Sequence, residues 1–323
     1  MPANEESAGT GARVLAFGGY QPDKVVTNDD LAKIVDTSDE WIRARVGIES
    51  RRVARDDETV ADMAEAAGAK ALAASGLTPS SIDLVVVATC TPEVQIPNVS
   101  ATVAYRLGIT APGAYDLNAA CAGFCYALAA ASDSVRAGSA RYALVIGAEK
   151  LTSWIDWNDR STCIIFADGA GAAVVGPAGA GEPSGIGPVV WGSAGDMAGR
   201  ITIPSRTGSL RQDGQAVFRW ATTALHPVAL EACVRAGVTP ADISAFVPHQ
   251  ANLRIVEAIA RKLGIPRDRV ADDITHAGNT SSASIPLALS RMAEQGRLQP
   301  GTPALLLGFG AGLSYAAQVI TLP

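Results

Sequence analysis

Cysteine is scarce in this chain: five residues in 323, an odd number with no CxxC spacing. That excludes a disulfide framework and a zinc site, and points to a reducing, cytoplasmic setting. Basic residues are not in surplus either. Lys and Arg number 26 against 32 Asp and Glu, for a net charge of −6, so a nucleic-acid binder with a generally basic surface is not expected. An acidic partner would need a local basic patch. No apolar run reaches the length of a membrane span, so no membrane association is expected. Met1 to Gly9 is polar with two glutamates and lacks the features of a signal peptide. Residues 1–12 are expected to be disordered. Histidine is limited to three residues, which narrows any search for a catalytic imidazole.

Hydrophobic residues make up 48% of the chain and the mean hydropathy is positive, enough for a large core and for two domains or a duplicated one. The pattern favours duplication. Gly76, Pro79 and Ile82 recur as Gly237, Pro240 and Ile243. Ala143-Leu144-Val145-Ile146-Gly147 recurs as Ala304-Leu305-Leu306-Leu307-Gly308, and Asn118 recurs as Asn279. All three matches are 161 positions apart, which chance explains poorly. Each half alternates helical pattern, short turn and β-rich run, so each is α/β. The halves are read as residues 13–176 and 177–323, with the Gly/Pro/Ala-rich stretch Pro177 to Gly187 as a linker. The polar stretch Asp196 to Gly214 reads as a loop or flap, mostly a solvated connection.

One stretch organises the first half: Tyr115-Asp116-Leu117-Asn118-Ala119-Ala120-Cys121-Ala122-Gly123-Phe124-Cys125. An extended entry meets small residues, then a helical pattern carried by Phe124, Cys125, Leu128 and Val135. Cys121 therefore lies where a strand turns into a helix. Free backbone N–H groups and the positive dipole end there favour a thiolate. The competing reading is an inert buried cysteine, which suits Cys125, Cys90, Cys163 and Cys233 better. The 161-residue offset makes Ser282 the counterpart of Cys121, and His249 the counterpart of Ala88. Cys121, His249 and Asn279 then all fall where a strand ends and a turn begins, the usual site position in α/β sheets. His276 is a second candidate, whereas His226, beside Pro227, reads as structural. Trp41 beside Arg45, Arg51 and Arg52 is either a snorkelling surface cluster or a stacking and phosphate-binding site. The Asp168-Gly169-Ala170-Gly171 run does not complete GxGxxG and reads as close backbone packing.

These motifs, Asp39-Glu40-Trp41 with Arg45-Val46-Gly47-Ile48, Ala120-Cys121-Ala122-Gly123-Phe124, Asp159-Arg160, Asp168-Gly169-Ala170-Gly171-Ala172, Pro248-His249-Gln250-Ala251-Asn252 and Gly278-Asn279-Thr280-Ser281, resemble those of the β-ketoacyl-acyl-carrier-protein synthase III family of thiolase-like condensing enzymes. The resemblance covers the chain beyond about residue 12. Elongating synthases of that fold carry Cys-His-His and thiolases a second, C-terminal cysteine; Asn279 and the absence of cysteine after Cys233 fit both less well. The resemblance implies a thiolase-like fold with duplicated α/β halves in an αβαβα layering. It implies that Cys121 takes an acyl group from acyl-CoA, and that backbone N–H groups of Cys121 and Ala311 form an oxyanion hole. His249 and Asn279 would assist decarboxylation of malonyl-acyl carrier protein. Trp41 and Arg160 would sandwich the adenine of coenzyme A, Arg45 would meet its phosphates, and Gly214 and Asn252 would contact its pantetheine. Arg219, Arg254, Arg261 and Lys262 would receive the acidic acyl carrier protein, and Ile96 would limit the acyl pocket. No metal or redox cofactor is implied, and a homodimer is. The sequence departs from the commonest pattern in three places. Ala277 replaces a histidine before Gly278, Ala311 stands where many relatives have glycine, and residues 196–214 are short. Two further readings are a dedicated starter-unit ketosynthase or acyltransferase of polyketide assembly, and a non-catalytic homologue that binds the carrier protein.

Overall fold

The computed structural model describes residues 11–205 and 207–323. Two sheets form the frame. The first holds β1 (Ala12–Tyr20), β2 (Leu84–Ala88), β3 (Gly113–Leu117), β4 (Ala143–Lys150) and β5 (Asp168–Pro177), in the order β1-β5-β4-β2-β3. The second holds β6 (Val190–Ser193), β7 (Ala245–Pro248), β8 (Pro303–Gly310) and β9 (Ser314–Thr321), in the order β7-β8-β9-β6. Most of the disorder expected for residues 1–12 lies outside the described residues, but Ala12 already pairs with Pro177 in a strand.

The duplication reaches the hydrogen-bond register. Leu84 faces Ala143 in the parallel β2/β4 pair, and Ala245 faces Ala304 in the parallel β7/β8 pair; both residues of the second pair lie 161 positions after those of the first. Strands buried on both faces need apolar residues throughout. Accordingly β2, Leu-Val-Val-Val-Ala, is buried at every position.

Among the described residues, seven helices of eight residues or more fill the layers: α1 (Asp39–Val46), α2 (Val60–Ser75), α3 (Val99–Arg106), α4 (Gly123–Arg136), α5 (Gly214–Arg235), α6 (Leu253–Leu263) and α7 (Ser284–Glu294). Strand alternation assigns the faces. Val85, Val87, Leu144 and Ile146 pack outward with Met63 and Ala67 of α2 and Val103 of α3. Val86 and Val145 turn inward to Phe124 and Leu128 of α4 and Leu289 of α7, where Val247 and Leu306 of the second sheet meet them. Phe246, Leu305 and Leu307 pack on the far side with Leu225 of α5 and Ile255 and Ile259 of α6. The order is therefore αβαβα. Helix α2 begins with a capping box, Thr59 with Asp62, and stops at Gly76 in the left-handed conformation (φ 71°). Helix α5 carries Pro227 inside it, so His226 lies mid-helix and not at a helix start. Among the described residues no helix is long and apolar enough to cross a membrane.

Two stretches read as connections are more ordered than expected. Pro177 to Gly187 is stitched to both sheets: Ile186 N–H donates to Ala12 O at 3.0 Å, and Gly187 N–H to Val319 O at 2.8 Å. Within residues 196–214, Ile201–Thr202 pairs with Arg211–Gln212, and Leu210 is buried.

Candidate active site

The position of Cys121 follows from local backbone chemistry. After β3, the Asn118 side chain accepts the N–H of Ala120 at 3.2 Å. Ala120 takes a left-handed φ of 47°, and one tight turn, Ala120–Ala122, leads into α4. The second half repeats this device. Asn279 Oδ1 accepts from Ser281 N–H at 2.9 Å, Ser281 has φ 51°, and the turn Ser281–Ala283 leads into α7. A residue with a side chain in that region costs about 1–2 kcal/mol, and each half bears it at the turn that enters its central helix.

Backbone N–H groups of Cys121 and Ala311 face the Cys121 sulfur, and the Ser281 hydroxyl lies within hydrogen-bonding reach of it. Gly310 allows this approach, because a Cβ there would stand 2.6 Å from Cys121 Cβ and 2.9 Å from its sulfur. The sequence suggested a stabilised thiolate. Burial overrides that and pushes the thiol up to about 12, with Glu149 adding to the rise, while Ser281 and the two N–H groups pull it down.

His249, 1% exposed, follows β7. Burial draws its pKa down to about 3, so cysteine and histidine are both neutral near pH 7. Its Nδ1 lies 2.7 Å from Ser284 Oγ, and Ser284 Oγ accepts Gln250 N–H at 3.3 Å. When that hydroxyl donates its proton to Nδ1, the neutral ring carries its own on Nε2 and can donate from there. The ring rests edge-on against Phe309, 5.2 Å between centroids.

One cavity of about 1020 Å³ gathers most of the expected residues. Cys121, His249, Asn279 and Ala311 line it, and so do Trp41, Arg45, Arg160, Gly214 and Asn252. Arg160 lies over the Trp41 ring at 4.8 Å and Arg45 at 5.4 Å. A base entering between Trp41 and Arg160 must therefore part them. Asn252 caps α6 through Arg254 N–H and donates to Arg45 O at 3.3 Å, tying the two cavity walls together. Arg219 and Arg254 also line the cavity, with Arg254 5.4 Å over Phe218. Arg261 and Lys262 lie outside it in the last turn of α6, and Lys262 Nζ is tied to Thr222 O at 2.5 Å.

Several expectations are corrected. Ile96 is 87% exposed and does not line this cavity of the single chain. Cys90 is not simple packing. It lines the cavity, and its thiol donates to Glu149 at 3.4 Å. Residues Ile201 to Gly214 contribute Ile203, Leu210 and Gln212 to the cavity wall, so they are more than a solvated connection. His276 is exposed and faces Glu49 at 3.8 Å. The sequence reading missed Glu149, Ser281 and Ser284. Only Glu149 left a trace, as a carboxylate inside an apolar strand pattern.

Comparison with known proteins decides the family. The sequence profile of 3-oxoacyl-[acyl-carrier-protein (ACP)] synthase III matches residues 115–195, and that of its C-terminal part matches residues 233–322. The chain is 56% identical over 313 residues to beta-ketoacyl-[acyl-carrier-protein] synthase III 4 of Streptomyces coelicolor, covering 97% of this chain and 99% of the relative. The chain belongs to the 3-oxoacyl-[acyl-carrier-protein] synthase III family. It is thus an acyltransferase of the condensing type with a thiolase-like fold. Another synthase III, the mycobacterial one of Mycobacterium avium, is 49% identical over 329 residues, 98% of this chain and 97% of that relative. Among solved structures, the priming beta-ketosynthase from the R1128 polyketide biosynthetic pathway superposes with a TM-score of 0.94 at 45% identity, covering 100% of this chain and 99% of that one. The synthase III from Thermus thermophilus superposes at 0.93 with 44% identity, covering 96% and 99%.

Proposed function

We propose that this protein primes chain synthesis by condensing an acyl-CoA starter with malonyl-acyl carrier protein, releasing carbon dioxide and giving a 3-oxoacyl-acyl carrier protein. The observation that carries the assignment of roles is the convergence of Cys121, His249 and Asn279 on one cavity, with two backbone N–H groups facing the sulfur. Cys121 sulfur attacks the thioester carbonyl; the oxyanion is held by the N–H groups of Cys121 and Ala311, and coenzyme A leaves with the thiol proton. The malonyl thioester carbonyl then accepts from His249 Nε2–H and Asn279 Nδ2–H. As the carboxylate departs as carbon dioxide, its bonding pair becomes the enolate those donors stabilise. The enolate carbon attacks the acyl-cysteine, the C–S bond breaks, and Cys121 leaves as a thiolate that takes up one proton from solvent. Decarboxylation supplies the carbanion, so these steps close without a metal or redox cofactor.

Trp41, Arg45 and Arg160 are assigned to the nucleotide of coenzyme A, and Gly214 and Asn252 to its pantetheine. Arg219 and Arg254 at the cavity, with Arg261 and Lys262 on α6, are assigned to the acidic carrier protein. A homodimer is proposed through β3, the edge of an otherwise covered sheet. In that arrangement the exposed Ile96 would bound the partner's acyl pocket and not its own. Five free cysteines support a reducing cytoplasmic setting.

A second reading, a dedicated starter-unit synthase of a polyketide pathway, is favoured by the likeness to the R1128 priming ketosynthase. Intact-protein mass after incubation with a panel of acyl-CoA thioesters tests both. One acyl increment is expected on the wild type and none on Cys121→Ala. The best-accepted acyl group separates primary from dedicated metabolism. Equal labelling of the variant would sink the assignment.

A further inference from the structure

Glu149, at the end of β4, is 0% exposed. Every hydrogen-bond partner it has is neutral. Taking a carboxylate out of water costs several kcal/mol, so its donors must offset that. Oε2 accepts from Thr89 Oγ1 at 3.2 Å, Cys90 N–H at 3.0 Å and Thr91 Oγ1 at 2.6 Å. Oε1 accepts from the Cys90 thiol at 3.4 Å, Ser281 Oγ at 3.1 Å and Ser282 Oγ at 2.9 Å. The single proton of Ser282 is shared with Ala88 O, 2.8 Å away. One carboxylate thus clamps two turns from opposite halves of the duplicated fold. At the 161-residue offset its own counterpart is Gly310, so the clamp exists on one side only.

The turn it holds on the second half is the one that aims Asn279. Ser281 sits in the left-handed region, and its N–H fixes Asn279 Oδ1 at 2.9 Å. With Oδ1 occupied, Nδ2 is the end of the amide left for the cavity. We propose that Glu149 is the positioning residue of the decarboxylation step: by anchoring Ser281 it keeps the Asn279 amide donating toward the malonyl thioester carbonyl. This rests on the role given to Asn279 above. A role in activating the nucleophile fits worse, because the same negative charge opposes ionisation of Cys121. The other titratable groups on that wall, Cys90 and His249, are neutral.

Glu149→Gln keeps the shape, removes the charge and turns one accepting oxygen into a donor facing donors. The two half-reactions are measured separately: Cys121 acylation by the best acyl-CoA, from intact mass, and carbon dioxide release from malonyl-acyl carrier protein. Decarboxylation should fall at least about tenfold while acylation stays within about threefold. Alkylation of Cys121 by iodoacetamide at pH 8 should become faster, a gain that a merely loosened fold would not give selectively at this cysteine over Cys233, which does not feel Glu149. Added to Asn279→Ala, Glu149→Gln should deepen the loss by less than about threefold, because both act through one amide. Ser282→Ala, which removes the neighbouring anchor of the same turn while leaving the carboxylate and Ser281 in place, should show the same split between half-reactions and serves if Glu149→Gln does not fold. Equal loss of both half-reactions, or wild-type decarboxylation in the variants, overturns the inference. A wild-type protein that releases no carbon dioxide sinks the proposed function itself, and the inference with it.

Discussion

His249 combines burial with a tautomer set by one hydroxyl, and both have measurable consequences. Its pKa in the folded chain is about 3, against about 6.5 when unfolded. Below pH 6.5 the unfolded chain therefore binds a proton that the folded chain refuses. The stability this group contributes is complete above pH 6.5 and drains away as pH falls toward 3, at up to about 1.4 kcal/mol per pH unit. Denaturant midpoints taken from pH 7 down to pH 5 should fall more steeply for the wild type than for His249→Gln. Parallel curves would show that His249 is not held neutral by burial. The neutral ring is also the useful one, since Nε2–H can donate to a carbonyl without any prior proton transfer.

At the scale of elements, the site depends on strand ends of one half touching turns of the other. Gly147 of β4 lies against the Ser282 carbonyl, which a Cβ would overlap; its counterpart Gly308 of β8 lies against Ala122, where a Cβ would stand 3.0 Å from Cα. Neither contact yields by rotating a side chain, because both neighbours are backbone. Overpacking of this kind costs about 1–3 kcal/mol. Gly147→Ala should be the costlier of the two, and it should displace the turn that carries Asn279. Thermal midpoints rank their stabilities, and carbon dioxide release reports the displaced turn; a Gly147→Ala protein as stable and active as wild type would contradict this packing. The left-handed residues Ala120 and Ser281 belong to the same account: each gives a tight entry into a central helix, and with it the placement of Cys121 or Asn279.

Across the whole molecule, β3 leaves one edge of the first sheet open. Tyr115 on that strand is 38% exposed, and the neighbouring loop exposes Val94 and Ile96. Open edges beside apolar side chains invite a second strand. Tyr115→Lys combined with Ile96→Lys should therefore turn a dimer into a monomer in light scattering, and condensation should drop if Ile96 bounds the partner's pocket. A dimer that persists would place the contact elsewhere, and a wild-type monomer would remove the homodimer from the account.

The sequence alone determined the α/β class, the duplication and the placement of Cys121 and His249 after strands, whereas Asn279 follows the short helix Ile274–Ala277 and makes only an isolated bridge to Phe166. Those features depend on local period, on turn chemistry and on an offset that repeats in Asn118 and Asn279. Through its resemblance to a known family it also pointed to the Trp41 and Arg160 pair and to Ala311, whose N–H faces the Cys121 sulfur. Only the tertiary structure decided the charge state of the site, because burial, which no local pattern reports, outweighs the helix end at Cys121. It alone showed that Ile96 does not line this cavity, brought Cys90, Ser281 and much of residues 201–214 to it, and set Ser284 behind the His249 ring. Glu149 shows the reason most plainly. Its partners Thr89, Cys90, Thr91, Ser281 and Ser282 come from both halves of the chain, and their convergence on one carboxylate is a long-range fact that sequence spacing does not encode.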